Sequence, residues 1–450
     1  MIAPARVAAY QVLTAVSAGR ADLPSAIARS RLRLADERDR ALVSDIATGV
    51  QRWRAALDHL IAHFAKRRID RLDPEIVDIL RLSVYQLIHL TRVPAAAVVD
   101  DAVNLTRKAG KKSGSGFVNA VLRAISRARG RLPLPPRPDS GADREAALAY
   151  LTVTLSHPRW LVERWLDRYG FDAVERWLQF DNQPAPLTLR ANRLRITRDE
   201  LATRLAGLGI DAAAGRFAPD ALVLRAGQTT RGVDHSLYVV QDEASQLVPL
   251  LAGVNPGRRV LDACASPGGK TTALAAEMDA RDVLIACDVR DARVDLLRRT
   301  VNASGASNVR LVQADLLAPL PFRAPFDTVL VDAPCSGLGT LRRDPDIRWR
   351  RGEDDLPALA AAQLVMLQRA AEVVAAGGRL VYATCSSEPE ENEGVAAAFL
   401  ATTPDFAAVD LRRGTPALAP SVIDGNGHLR TYPHVHGLEA FFGAAFVKRL

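Results

Sequence analysis

Two short segments each place a cysteine before a serine at the end of an apolar run: Val329-Leu-Val-Asp-Ala-Pro-Cys-Ser-Gly337 and Val381-Tyr-Ala-Thr-Cys-Ser-Ser387. Thiolates are potent nucleophiles, so Cys335 and Cys385 are candidates for covalent catalysis, and a nearby cation or helix N-terminus would favour the ionised form. Asp332, just before Cys335, is placed to bond the edge of a bound ring and to favour the charge that develops on addition. Residue types and spacing leave open which sulfur attacks. The other two cysteines, Cys264 and Cys287, sit in apolar stretches and are expected as small buried residues. None of the four is paired at metal-ligand spacing, which argues against a disulfide framework and a zinc ribbon; no metal is expected.

A second constellation lies upstream. Val260-Leu-Asp-Ala-Cys-Ala-Ser-Pro-Gly-Gly-Lys-Thr-Thr272 reads as a strand, a glycine-rich turn and a helix start. Gly268 and Gly269 let backbone approach a ligand closely, and the helix start offers N–H groups to a carboxylate or other negative group. The spacing fits neither a P-loop nor a dinucleotide fingerprint. Asp288 ends the next predicted strand, where an acid accepts hydrogen bonds from ribose hydroxyls, and Asp315 ends the third, where its carboxylate could face an adenine. Together these features predict a site for a nucleoside-bearing cofactor.

The elements that must hold these residues are legible as alternating strands and helices from about Val239 onward: strands Arg259–Ala263, Val283–Asp288, Val309–Gln313, Thr328–Asp332 and Arg379–Cys385, with helices between them. Alternation of this kind implies a parallel sheet covered on both faces, with strand ends converging on one crevice. Residues 139–238 form a smaller mixed α/β region, with helices at Trp160–Tyr169, Ala173–Phe180 and Arg198–Leu208 and strands at Leu187–Ala191 and Ala221–Arg225. Residues 1–132 are helical throughout; Ile76, Leu80, Val84, Leu87 and Ile88 make one apolar stripe, with Pro74 in the first turn after Asp73. Leu132-Pro-Leu-Pro-Pro-Arg-Pro138 is expected to be a semi-rigid linker. With 450 residues the chain suits several domains. No apolar run reaches membrane-spanning length and no signal peptide is visible, so a cytoplasmic protein is expected. The net charge of +8 suits a polyanionic partner, although an Arg- and Ala-rich composition alone would produce it.

A methyl-donor cradle beside a thiolate has a chemical rationale. Carbon 5 of cytosine is a poor nucleophile toward a sulfonium methyl; a thiolate adding at carbon 6 makes an enamine that attacks through carbon 5, and loss of the carbon 5 proton then expels the sulfur. At Asp262-Ala-Cys-Ala-Ser-Pro-Gly-Gly-Lys270, Asp332-Ala-Pro-Cys-Ser336 and Thr384-Cys-Ser386 the chain resembles the Sun/Nop family of RNA cytosine-5 methyltransferases. The resemblance implies a class I methyltransferase fold with S-adenosylmethionine held by Cys264, Ala265, Ser266, Pro267, Gly268, Gly269 and Lys270, with Asp288, Asp315 and Asp332. It also implies that Cys385 is the nucleophile, whereas Cys335 assists proton removal and product release.

The N-terminal helices, with Gly116-Phe-Val-Asn-Ala-Val-Leu-Arg123, resemble a NusB-type RNA-binding domain, and Arg342-Arg-Asp-Pro-Asp-Ile-Arg-Trp349 is similar to the segment after the Pro-Cys motif in bacterial small-subunit rRNA enzymes of the family. By that resemblance the substrate is a specific cytosine of unassembled 16S rRNA; separately, a monomer is expected. Leu438-Glu-Ala-Phe-Phe442 departs from the usual Asp-Gly-Phe-Phe and puts the local loop geometry in question. Two basic clusters are candidates for phosphate contact: Arg107, Lys108, Lys111, Lys112, Arg123, Arg127, Arg129 and Arg131, and Arg342, Arg343, Arg348, Arg350 and Arg351, with Trp349 as a stacking platform. Competing readings are action on another RNA, such as tRNA or 23S rRNA, and a non-catalytic NusB-like RNA-binding factor. Methylation of DNA or protein is disfavoured.

Overall fold

The computed structural model describes residues 2–139, 143–415 and 417–450. The chain divides into two units, Met1–Gln183 with Leu341–Arg351, and Pro184–Thr340 with Gly352–Leu450.

In the first unit the helix Pro74–His89 packs against Pro4–Ser17, Glu37–Arg52, Arg54–Ala65, Ala95–Lys108 and Ser115–Arg127. The apolar stripe predicted one buried face; instead every residue from Ile76 to Leu87 is buried. Helices on several sides cover the polar positions too, and those positions are hydrogen-bonded as burial requires. Arg81, for example, donates to the two carboxylate oxygens of Asp58 at 2.6 and 2.8 Å. Pro74 opens the helix, but the Asp73 side chain pairs with Lys111 at 3.2 Å instead of capping it.

The proline-rich stretch is not a spacer. Leu132 and Leu134 pack against the bundle core, the Pro133 carbonyl is 2.9 Å from His59 Nε2, and the Pro135 carbonyl accepts from Thr154 at 2.6 Å. Proline removes backbone donors but leaves carbonyls, and these carbonyls find partners on the helical unit. Helices Arg144–Ala149, Arg159–Tyr169 and Phe171–Asn182 belong to the same unit, so the stretch 139–238 is divided between the two. Its helical core stacks Trp165 on Trp177 with ring centroids 4.3 Å apart.

The second basic cluster also lies in this unit, and Arg348 is fully buried. Its guanidinium donates to the carbonyls of Ser156 and Leu341 at 3.1 and 3.3 Å and to Asn182 Oδ1 at 3.2 Å. Burial lowers its pKa to about 9, against the pull of Asp181. Trp349 donates Nε1–H to the Gln51 carbonyl at 2.6 Å, and Arg350 pairs with Asp346 at 3.0 Å. Arg348 is therefore no phosphate ligand, and half-buried Trp349 is no free stacking face; a run of charges looks the same in sequence whether water or the fold solvates it. Arg348→Met is predicted to cost about 3–5 kcal/mol, because it removes the charge that faces buried Asp181 and leaves the Ser156 and Leu341 carbonyls without their donor. Urea unfolding of the full chain measures this, and an unchanged midpoint would contradict the anchoring role.

The second unit contains two sheets. Strands β1 (Thr188–Ala191), β2 (Ala212–Ala214), β3 (Ala221–Leu224) and β4 (Tyr238–Val240) form a sheet in the order β2-β3-β1-β4. All its neighbours are antiparallel. The helix Arg198–Gly207 opens with a capping box between Thr197 and Glu200. The all-alanine β2 carries no strand signal in the sequence, and β4 crosses the boundary expected at residue 238 because Val240 pairs with Leu189.

The larger sheet comprises β5 (Arg259–Asp262), β6 (Val283–Asp288), β7 (Val309–Gln313), β8 (Phe326–Asp332), β9 (Val374–Thr384), β10 (Phe406–Val409), β11 (Leu429–Arg430) and β12 (Phe442–Lys448). Its order is β10-β12-β9-β8-β5-β6-β7, with β11 on β12. Strands β5 to β9 are parallel, as expected, but β10, β11 and β12 add an antiparallel edge. Successive side chains point to opposite faces, so Val260, Leu284, Leu330 and Val381 enter one core while Leu261, Cys287, Val329 and Leu380 enter the other. Strand order reverses at β5, which opens a crevice at its carboxyl end, where the cradle begins. Among the described residues, no helix is long and apolar enough to cross a membrane.

Candidate functional site

The turn after β5 is tied to both neighbouring strands. Ala263 N–H donates to the Leu330 carbonyl at 2.9 Å and Ala265 N–H to the Cys287 carbonyl at 2.8 Å. Ser266 N–H donates to Asp288 Oδ2 at 3.1 Å, and Arg293 also pairs with Asp288 at 3.0 Å. The Ser266–Pro267 bond is cis. Gly268 has φ +104°, where side chains are rarely accommodated, and a Cβ there would lie 3.0 Å from Leu297. Gly269 starts the helix Gly269–Ala275. Asp262, fully buried, accepts from Thr271 Oγ1 at 2.7 Å, and burial raises its pKa to about 7.

Burial also raises the Cys264 thiol and pushes Cys287 up to about 12, which suits packing rather than ionisation. Asp288 thus borders the cradle. Asp315 lies just beyond β7, exposed, and accepts from Leu317 N–H at 2.9 Å.

At the ends of β8 and β9 the two remaining cysteines meet, with Sγ atoms 3.2 Å apart. The contact with Cys385, then burial, then the charges of Cys385 and Glu391, raise the Cys335 pKa well above that of a free thiol. Lys270 reaches from the cradle helix to Asp332 at 2.6 Å, with its ammonium 5.8 Å from the Phe441 ring centroid. Burial opposes the Lys270 charge, but Asp332 and Cys385 outweigh it and raise the pKa. The arrangement sets a buried cation and a carboxylate beside a thiol pair, which can activate one sulfur and hold a polar ring edge.

Several residues here escaped the sequence reading. Arg190, buried in β1, donates to Gln241 Oε1 at 2.8 Å, to Thr272 Oγ1 at 2.7 Å and to the Gly269 carbonyl, and burial lowers its pKa to about 10. It ties the small sheet to the cradle; a lone Arg inside a strand-like run was the available signal. Glu391 is fully buried beneath the cysteines. Gly339 N–H donates to the Cys385 carbonyl at 2.9 Å and its own carbonyl accepts from Ala440 N–H at 3.0 Å; a Cβ at 339 would lie 2.0 Å from the Ala440 carbonyl oxygen. The departing loop Leu438–Phe442 thus packs on the Cys335 turn, and Ala440 needs no left-handed backbone there.

In the first basic cluster Lys111 is engaged by Asp73, whereas Arg107, Lys108, Lys112, Arg123, Arg127, Arg129 and Arg131 are exposed.

A parallel sheet reversing at β5, with an antiparallel edge and a glycine cradle at its crevice, defines a class I methyltransferase domain. Family models match as 16S rRNA methyltransferase RsmB/F over residues 249–447, the NusB family over 3–127 and an RsmF/B-like ferredoxin-like domain over 157–230. The probable ribosomal RNA small subunit methyltransferase B of Bacillus subtilis is 34% identical over 92% of this chain and 91% of its own. The Pseudomonas putida ribosomal RNA small subunit methyltransferase B is 36% identical over 90% and 91%. A solved methyltransferase homolog from Pyrococcus horikoshii is 29% identical, with TM-score 0.58, over 68% of this chain and all of its own. The chain belongs to the RsmB/F family of 16S rRNA methyltransferases.

Proposed function

We propose that the chain methylates carbon 5 of a cytosine in 16S rRNA, using S-adenosylmethionine and a transient bond from Cys385 to carbon 6. The observation that carries this reading is the 3.2 Å approach of Cys335 and Cys385 beside the Lys270–Asp332 pair. Cys385, facing the Lys270 ammonium, is the sulfur better placed to attack as thiolate. Asp332 bonds the ring edge and favours the charge arriving there on addition. Cys335 assists removal of the carbon 5 proton, after which the Cys385 sulfur leaves.

S-adenosylmethionine supplies an electrophilic methyl group when bound. The residues present fit it: the side-chain-free backbone of Gly268 and Gly269 admits a close ligand, and the Asp288 carboxylate stands at the cradle's edge. Cys264, Ala265, Ser266, Pro267 and Lys270 complete the cradle, while Asp332 ends the adjacent strand β8 and Asp315 lies just beyond β7. The target base must leave its stack to reach the sulfurs, which favours single-stranded, unassembled rRNA, and the exposed arginines and lysines of the NusB-like helices suit its phosphates.

The test is transfer from methyl-labelled S-adenosylmethionine to 16S transcript, with 23S rRNA, tRNA and matched DNA as competitors, followed by nucleoside mapping. Label in 5-methylcytidine from 16S RNA is expected; its absence would refute the reading.

A further inference from the structure

Neither cysteine motif contains the carboxylate that joins them. Glu391 Oε2 accepts from Ser336 Oγ and from Ser386 Oγ, both at 2.5 Å. Its Oε1 accepts from Ser336 N–H at 2.8 Å and from Gln363 Nε2 at 2.9 Å. Ser336 follows Cys335, Ser386 follows Cys385, and the two hydroxyls lie 3.1 Å apart. The next residue, Asn392, donates to the Ser386 carbonyl at 3.0 Å. A fully buried carboxylate is costly unless donors surround it, and here the donors come from both cysteine turns and from the helix Asp355–Glu372 that carries Gln363.

We propose that Glu391 is a positioning residue that clamps the Cys335 and Cys385 turns into one rigid pair and so fixes the separation of the two sulfurs. The inference rests on the thiol chemistry proposed above. Two sulfurs that serve adjacent carbons of one pyrimidine have little tolerance for slippage, and a displacement of about 1 Å costs roughly 100-fold in rate. An oxygen that accepts from both hydroxyls couples the turns directly. Glutamine could keep the link, because its amide nitrogen would donate to both serine oxygens once their hydroxyls rotate.

The test uses the full chain and two readouts. One is kcat and KM on 16S transcript. The other, without RNA or methyl donor, is the rate at which diamide joins Cys335 and Cys385, read by peptide mass mapping; the thiols lose two electrons and two protons, which reduce the azo bond to a hydrazine. Glu391→Ala is expected to lower kcat about 100-fold with KM within about threefold, and to slow disulfide formation at least about tenfold. Glu391→Gln should recover both to within about fivefold of the parent. Parent-like kcat and disulfide rate in Glu391→Ala would overturn the clamp, as would failure of the glutamine to rescue. Should Glu391→Ala lose its melting transition, a Ser336→Ala, Ser386→Ala double variant, which keeps the carboxylate, is held to the same slowing of disulfide formation. If the parent itself makes no 5-methylcytidine, the methylation reading fails, while the disulfide comparison still decides the clamp.

Discussion

Cys385→Ala is expected to abolish turnover, by roughly 10⁴-fold or more, because it removes the proposed nucleophile of the covalent step. Cys335→Ala is expected to behave differently. Cys385 would still add to the base, but loss of the carbon 5 proton would be slow, so a protein–RNA adduct should accumulate and survive denaturing electrophoresis. The electrostatics favour this proposed asymmetry: contact with Cys385, burial and the Glu391 charge raise the Cys335 pKa, whereas Cys385 and the Lys270 ammonium stabilise one another's charge. An adduct in Cys385→Ala instead would reverse the assignment, and normal turnover by Cys335→Ala would remove its role.

Asp332→Asn is expected to lower kcat about 10² to 10³-fold, since it removes the negative charge proposed to favour addition and the anionic partner of a buried ammonium. The sign of the accompanying pH effect is fixed. In the parent, Asp332 holds the Lys270 pKa above its ordinary value despite burial. Without that carboxylate, burial acts with less opposition, the pKa falls, and the ammonium is lost at lower pH. The defect should therefore deepen as pH rises, measured as kcat across neutral to alkaline pH; a defect independent of pH would show that Lys270 contributes no charge to the step.

Much of the catalytic unit was legible because its residues are consecutive. The cradle, Asp332 and both Cys-Ser pairs stand at predicted strand ends, and the sheet places those ends at one edge. The strands β10, β11 and β12 were harder to read, since Ala-rich and short segments carry little periodicity. Glu391 was hidden among neighbouring acids in Ser386-Ser-Glu-Pro-Glu-Glu-Asn392, where Glu388 is equally buried and only the long-range hydrogen bonds to both serines set Glu391 apart. Arg348 misled for the same reason.

What the sequence by itself determined was the candidate reacting groups and the alternation of strands and helices that implies a parallel sheet, because local pattern and spacing encode both. The tertiary structure alone decided which charges are solvated, that two sulfurs fifty residues apart stand at 3.2 Å, and that one buried carboxylate joins their turns. Burial and long-range hydrogen bonds depend on what packs around a residue, and no local stretch of chain carries that information.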